Sequence, residues 1–279
     1  MTDLRLPTHA SPDSYQRPTG LRAVVHDGRI VAWRNLVQLT RTPGLIIFTL
    51  IQPVMFVVLF NYVFGGAIGA ALPPGISYAQ FLIPGVMVQA LVFGSSTTSV
   101  GLADDLQKGI VDRFRSLPIA RSAVLAGRIT ADTVRLAVVA FVIVTVGMLV
   151  GFRFEGGLLF GLVMVFVAVA FGSSMCWVQA NIGLLVPNVE TAQTAGFVWL
   201  FPVVFISSVF TPVQTMPTWL QVVARNNPVT LVANLQRALS LGEPPAGSTW
   251  ASMATPVALW IVGLVAVFAP LAVRSYRKV

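Results

Sequence analysis

The sequence predicts an all-α polytopic membrane protein with six transmembrane helices, on three observations. Apolar stretches long enough to cross a bilayer alternate with short polar connectors; a hydrocarbon core about 30 Å thick needs roughly 20 apolar helical residues. Hydrophobic residues make up 56% of the chain and charged residues 10%, too little polar surface for a water-soluble globule of 279 residues. The basic residues cluster in every second connector. Fifteen of the 18 Lys and Arg fall at Arg5, Arg17, Arg22, Arg29, Arg34 and Arg41, at Lys108, Arg113, Arg115, Arg121, Arg128 and Arg135, and at Arg274, Arg277 and Lys278. Only Arg153, Arg225 and Arg237 lie in the intervening connectors. The positive-inside rule therefore places both termini and the loop over residues 104–131 in the cytoplasm.

Residues 1–20 mix Pro, Ser, Thr and charge without periodicity and read as a disordered cytoplasmic tail. They carry no short apolar core with a small-residue cleavage site, so the first span is expected to act as an uncleaved anchor. Residues 21–42 differ. Leu21, Val24, Val25, Val31, Trp33, Leu36 and Leu39 recur at near-helical spacing among four arginines whose stems can snorkel toward headgroups. This predicts an interfacial helix ended by Thr42-Pro43-Gly44.

The six-span domain, residues 43–279, follows. Spans are expected at about 44–64, 79–103, 132–151, 157–186, 193–211 and 252–273. Gly65-Gly66 and Pro73-Pro74-Gly75 mark an outer loop after the first. Asp104 and Asp105 end the second. The fourth, roughly 45 Å at 1.5 Å per residue, is long for one crossing and is expected to tilt or bend near Gly172-Ser173-Ser174. Residues 212–245 mix apolar residues with Pro212, Pro217, Asn226, Asn227, Pro228 and Arg237 and are too polar to span. They predict one or two short re-entrant amphipathic helices at the outer interface.

Several chemistries are excluded. Neither Lys108 nor Lys278 follows a glycine, so the chain has no Walker A loop and binds no ATP in that manner. Mid-span positions hold uncharged polar residues such as Gln52, Asn61, Gln89, Gln179 and Asn181, which gives ion coupling little support. His9 and His26 precede the first span and no HExxH motif occurs, so no catalytic or metal-binding residue is expected. Cys176 is the only cysteine, which rules out an internal disulfide. The +8 charge sits on membrane connectors rather than on a soluble domain interleaved with aromatics, which argues against nucleic acid.

The connector after the second span holds a short amphipathic turn. Ile110, Val111, Phe114 and Leu117 share one face, Asp112, Arg113 and Arg115 the other, and Pro118 breaks it. Read from the residues alone, this is a docking turn or a solvated, topology-setting basic loop. Aromatic and Met residues concentrate in the fifth span at Phe197, Trp199, Phe201, Phe205 and Phe210, in the first at Met55 and Phe56, and in the second at Met87, Gln89 and Phe93. Such a surface accepts a flat hydrophobic drug or a lipid tail without strict geometry; ordinary lipid-facing or packing residues are the plainer account of each. The outer stretch with Pro217, Trp219, Asn227, Pro228 and Arg237 reads either as a cap or as an outer gate.

The order Gly109, Arg113, Leu117-Pro118, Arg121, Gly127-Arg128 and Asp132 resembles the cytoplasmic loop of ABC exporter permeases of the type-2 class, most of all the daunorubicin-resistance permeases of actinobacteria. Pro212, Met216-Pro217, Trp219-Leu220, Asn227-Pro228 and Arg237 resemble that family's outer loop. The resemblance implies a bacterial plasma-membrane permease paired with a second copy or paralogue and served by separate ATP-binding subunits, which would carry the ATP and Mg. It makes residues 21–42 the elbow helix and the 108–121 turn the ATPase-coupling helix, with Gly109, Asp112, Arg113, Phe114, Arg115, Leu117, Pro118 and Arg121 as its contacts. Gln107-Lys108 stands where one common version of the pattern has Glu-Arg, which leaves Asp112-Arg113 to supply the charge. The function implied is export of a hydrophobic drug or lipid. A lipid-linked polysaccharide exporter, a non-transporting scaffold and an intramembrane enzyme are the alternatives, the first of them opposed by the apolar character of the spans.

Overall fold

The computed structural model describes residues 43–69, 72, 76–110 and 121–278. Every element among them is helical, as lipid demands, because a backbone without water must satisfy its own hydrogen bonds. α1 (Pro43–Leu59) runs through a π-helical turn (Phe60–Phe64) into α2 (Gly65–Gly69). α3 (Tyr78–Gly94) and α4 (Ser96–Gln107) follow, then α5 (Arg121–Val150) and α6 (Gly157–Leu185). α7 (Val189–Val198), α8 (Leu200–Phe205), α9 (Thr218–Asn226), α10 (Pro228–Leu241) and α11 (Trp250–Lys278) complete the chain. The interfacial helix expected over 21–42 lies outside the described residues, as do Asp112, Arg113, Phe114, Arg115, Leu117 and Pro118.

Among the described residues, four stretches are long and apolar enough to cross a membrane: Tyr78–Gln107, Val124–Val150, Gly157–Leu185 and Trp250–Tyr276. Leu50–Phe64 and Val189–Phe205, where the first and fifth spans are expected, are shorter apolar helices. The fifth ends at Phe205 because residues 206–211 leave the helix and give their backbone to side chains of α10.

α3 is the central element: every residue of it except Ala90 is buried, against α1, α5, α6 and α10. Local sequence explains its start, where the Ser77 hydroxyl accepts from the Gln80 amide at 3.2 Å. α6 packs on α4, α5, α10 and α11 and is one unbroken helix through Gly172-Ser173-Ser174. Those small residues serve close packing: a Cβ on Gly172 would stand 3.0 Å from Leu136 and 3.1 Å from Leu91. Residues 212–245 contain two short helices. α9 is amphipathic, with Trp219, Val222 and Val223 exposed and Ala224 buried; α10 is largely buried between α3 and α6.

Two boundaries differ from expectation. The second span is not one regular helix, since the helical ladder is interrupted at Ser95 between α3 and α4. The third helix begins at Arg121 rather than near 132. Its first turns bring Arg128, Asp132 and Arg135 into contact with α4, so the apolar helices do carry charged residues, paired with one another.

Candidate functional site

A cavity of about 290 Å³ opens between α1, α3, α4 and α7. Gln52 and Phe56 come from α1, Gln89 and Phe93 from α3, Ser96, Thr97 and Val100 from α4, and Gln193 and Phe197 from α7. No ionisable side chain lines it. Its size is at the low end for small-molecule sites and matches one fused ring system rather than a chain of sugars. Three amides and two hydroxyl residues give it hydrogen-bonding capacity without charge. Gln89 Oε1 is buried and has no hydrogen-bond partner among the described residues; Gln179 Oε1 is likewise unpartnered there, but Gln179 Nε2 donates to the Gly196 carbonyl at 3.0 Å and ties α6 to α7.

From this cavity a continuous array of phenylalanine rings leads along α7 and α8. Phe93 stacks on Phe197 at 5.7 Å between centroids and meets Phe201 at 5.2 Å. Phe201 stacks on Phe205 at 5.8 Å, and Phe205 meets Phe210 at 5.5 Å. Phe210 then joins α1 through Phe60 at 4.5 Å and Phe56 at 5.6 Å. The register is simple: Phe56, Phe60 and Phe64, and Phe197, Phe201 and Phe205, are two runs spaced four apart, so each presents its rings on one helical face. Phe201 and Phe205 are each about half exposed while Phe93 and Phe210 are buried.

Of the residues singled out for a substrate path, the structure brings together Gln89, Phe93, Phe197, Phe201 and Phe205. Met55 is exposed and is not among the residues that line the cavity, and Trp199 packs against the core with its indole N–H buried and without a partner among the described residues. Phe60, Gln193, Ser96 and Thr97 were not singled out; the four-residue spacing of the phenylalanines was the available signal for the first, and nothing local distinguished the other three.

At the far end, Asn227 and Arg237 converge on the non-helical residues 206–209, Pro228 opens α10, and Pro217 and Trp219 lie apart at the start of exposed α9. Asn227 caps α10 by accepting from the Val229 amide at 2.8 Å, with Pro228 in the first turn, and its Nδ2 donates to the Val203 and Ile206 carbonyls at 2.6 and 2.9 Å. Arg237 donates from Nε to the Phe81 carbonyl at 2.9 Å, and from Nη1 to Asn234 Oδ1 at 2.9 Å and Ser208 Oγ at 3.0 Å. Its Nη2 donates to the carbonyls of Ser208 and Val209, and its guanidinium lies 3.6 Å over the Phe81 ring. No carboxylate pairs with it among the described residues. Backbone dipoles and the ring face compensate its charge.

The connector leaves α4 at Gly109, whose φ of +62° is left-handed and suits a helix C-terminus, and re-enters at Arg121, the first residue of α5. Lys108 closes α4 with a 2.7 Å ion pair to Asp104, whose hydrogen bond holds the ammonium above the usual lysine range.

The ABC-2 type transporter family model matches residues 27–240. The chain is 36% identical over 246 residues to the daunorubicin resistance ABC transporter permease protein DrrB1 of Streptomyces coeruleorubidus, covering 88% of this chain and 84% of that one. It is 25% identical over 279 aligned positions to the probable doxorubicin resistance ABC transporter permease protein DrrC of Mycobacterium tuberculosis, covering 97% and 98% of the two chains. The putative transport permease ycf38 of Cyanophora paradoxa is 26% identical over 204 residues, 72% of this chain and 69% of the other.

Proposed function

This chain is a member of the ABC-2 type transporter family, and from that premise we propose that its cavity and phenylalanine array carry planar, hydrophobic drug-like molecules outward. The chain is the permease subunit of an ATP-driven exporter. In this reading it crosses the membrane six times, α1 and α7–α8 completing crossings that their apolar helices begin, with both termini cytoplasmic. It works as a dimer of permease subunits served by separate ATP-binding subunits, which hold the nucleotide and Mg. The 108–121 connector is the coupling turn, with Gly109, Asp112, Arg113, Phe114, Arg115, Leu117, Pro118 and Arg121 as its contacts.

The observation that carries the substrate reading is the array that starts at the cavity with Phe93 and Phe197 and ends at Phe210 and Phe60. Aromatic rings offer a flat molecule successive stacking partners, each worth about 0.5–1.5 kcal/mol beyond area burial. A graded series of such partners lets a ligand move without a deep trap at any one of them. The anthracycline resistance named for two relatives is in keeping with this chemistry.

The test is reconstitution of the chain with its ATP-binding partner in proteoliposomes, with a fluorescent anthracycline as probe. ATP-dependent movement of the probe, together with stimulated hydrolysis, is the expected result. Probe movement that is unaltered in a Phe93→Ala, Phe201→Ala double variant would remove the array from the path.

A further inference from the structure

The break between α3 and α4 is chemically built. Tyr78–Gln107 is a 30-residue apolar stretch with a single interruption at Ser95. There the hydroxyls of Ser95, Ser96 and Thr97 donate to the carbonyls three residues back, Val92, Phe93 and Gly94, at 2.6, 2.7 and 3.0 Å. The Thr98 amide turns to the Ser95 carbonyl at 2.9 Å, so the Gly94 carbonyl is out of the helical ladder. Consecutive hydroxyls that bond back to the helix bend it. The Gly94 carbonyl is taken up from another helix: Arg135 Nη2 of α5 donates to it at 2.9 Å and also to Thr97 Oγ1.

Gly94, Ser96 and Thr97 are also wall residues of the cavity. Arg135 is therefore bonded to the rear of the wall that a ligand would touch. In the other direction it leads to the connector. Asp132 Oδ1 stands 3.4 Å from Arg135 Nη2, while Asp132 Oδ2 accepts from the Thr98 hydroxyl at 2.7 Å and faces Arg128 Nε at 3.9 Å. Arg128 pairs with Asp105 in the last turn of α4, where the connector departs, and its guanidinium occupies the space a side chain on Gly101 would need. The four charges balance, two against two. All are largely buried, and an unpaired charge among apolar helices is expensive enough that such a group calls for a specific role.

We propose that Arg135 is a positioning residue that couples the substrate cavity to the connector, by holding the α3–α4 break open and anchoring it to the ion pairs at the connector's root. This rests on the export reading above. Beside the Thr97 hydroxyl, the Gly94 carbonyl has two donors that compete for its helical place, the Thr98 amide of a continuous helix and the Arg135 guanidinium of the interrupted one. That competition makes the break a two-state element, biased from one side by a ligand on Gly94 and Thr97 and from the other by movement of α4 against α5 through Asp105–Arg128.

The experiment uses the reconstituted complex with its ATP-binding subunit and a fluorescent anthracycline as probe, comparing Arg135→Lys and the charge-balanced double variant Arg135→Gln, Asp132→Asn with the native chain. Lysine keeps a positive charge beside Asp132, but its shorter reach and lack of a rigid planar fork leave its ammonium without the aim that puts Arg135 Nη2 on Gly94 and Thr97 together. Both variants are expected to bind the probe within about threefold of native and to lose at least about fivefold of its stimulation of hydrolysis, the lower range of a coupling energy between sites. A second readout needs neither ATPase nor transport: amide hydrogen exchange over residues 94–99 of the permease in nanodiscs. It is expected to slow in the double variant, because the Thr98 amide regains the Gly94 carbonyl. Full stimulation with Arg135→Lys, or equal loss of probe binding and stimulation in both variants, overturns the proposal. If the native complex is not stimulated by the probe, the export reading fails instead, and unchanged exchange in the double variant then overturns the positioning role separately.

Discussion

Phe60 and Phe210 stack with ring centroids 4.5 Å apart and planes 20° from parallel. They join the π-helical turn that follows α1 to the non-helical segment that follows α8, so the ring array is closed at one end by two irregular stretches of backbone. A π-turn inserts an extra residue and rotates the face that follows it, a common device at functional positions. The contact sets one end of the array on irregular backbone, and the Phe93–Phe197 contact sets the other on regular helices at the cavity wall.

The two ends should therefore respond differently to substitution. Phe93→Ala is expected to weaken probe binding by about 2- to 12-fold, the equivalent of one aromatic pair. Phe210→Ala should leave binding within about twofold and slow ATP-dependent release. Equilibrium fluorescence titration and single-turnover efflux from the same proteoliposomes separate the two effects.

Gln89 should set chemical preference. Gln89 lines the cavity, and its buried Oε1, without a partner among the described residues, is an acceptor for a hydroxyl or amine donor on a ligand that reaches it. Gln89→Leu removes an unsatisfied acceptor, so stability is expected to rise by about 1 kcal/mol or more. The native preference for a hydroxylated probe over its deoxygenated analogue should fall by about tenfold or more. Competition between the two analogues reads the second effect and thermal unfolding in detergent the first; native-like discrimination by the variant would argue that Oε1 does not meet the ligand.

Arg237 should be a stability determinant rather than a contact with substrate. Arg237→Met leaves the Phe81, Ser208 and Val209 carbonyls without the donors that satisfy them and is expected to cost about 3–5 kcal/mol, with residues 206–211 becoming protease-sensitive. Limited proteolysis mapped by mass spectrometry checks this.

Close approach of α4 and α6 depends on Gly183, where an added Cβ would stand 2.8 Å from Ser99 Cα. Gly183→Ala has only backbone to push against, so it is expected to part the two helices and lower stability by about 1–3 kcal/mol. Unchanged thermal unfolding would mean that α6 shifts freely, contrary to its packing on the helices around it.

On the connector, Arg113→Glu or Pro118→Gly is expected to leave membrane insertion and basal hydrolysis by the partner intact while transport falls by about tenfold or more. Efflux measured against ATP consumed in the same vesicles gives the coupling ratio that decides it.

Much of the fold was legible. Runs of Leu, Val, Ile and Phe mark helices wherever lipid excludes water, and Asn227-Pro228 marks the start of α10 through capping chemistry that needs no tertiary knowledge. The aromatic side of the cavity was legible too, because Phe197, Phe201 and Phe205 share a face by spacing alone. Residues 206–211 were not. They are apolar enough to extend the fifth helix, and it is Asn227, Thr230 and Arg237 from α10 and its cap, with Tyr78 from α3, that supply the bonds that make leaving the helix favourable.

The sequence by itself determined that this is a helical membrane protein, where its polar connectors fall, and that it carries no Walker A loop, since each of these follows from hydrophobicity, charge placement or the presence of a motif. Tertiary structure decided which polar groups face a cavity and which hold helices together: Gln89 and Gln179 are alike in composition and in apolar surroundings, yet one lines the cavity while the other ties α6 to α7. It also decided that Asp105, Arg128, Asp132 and Arg135 form one paired cluster. The reason is physical: a burial preference is a property of a residue and its helix, whereas the partner that satisfies a buried polar group comes from another helix, and helix rotation and depth are set by packing over the whole molecule.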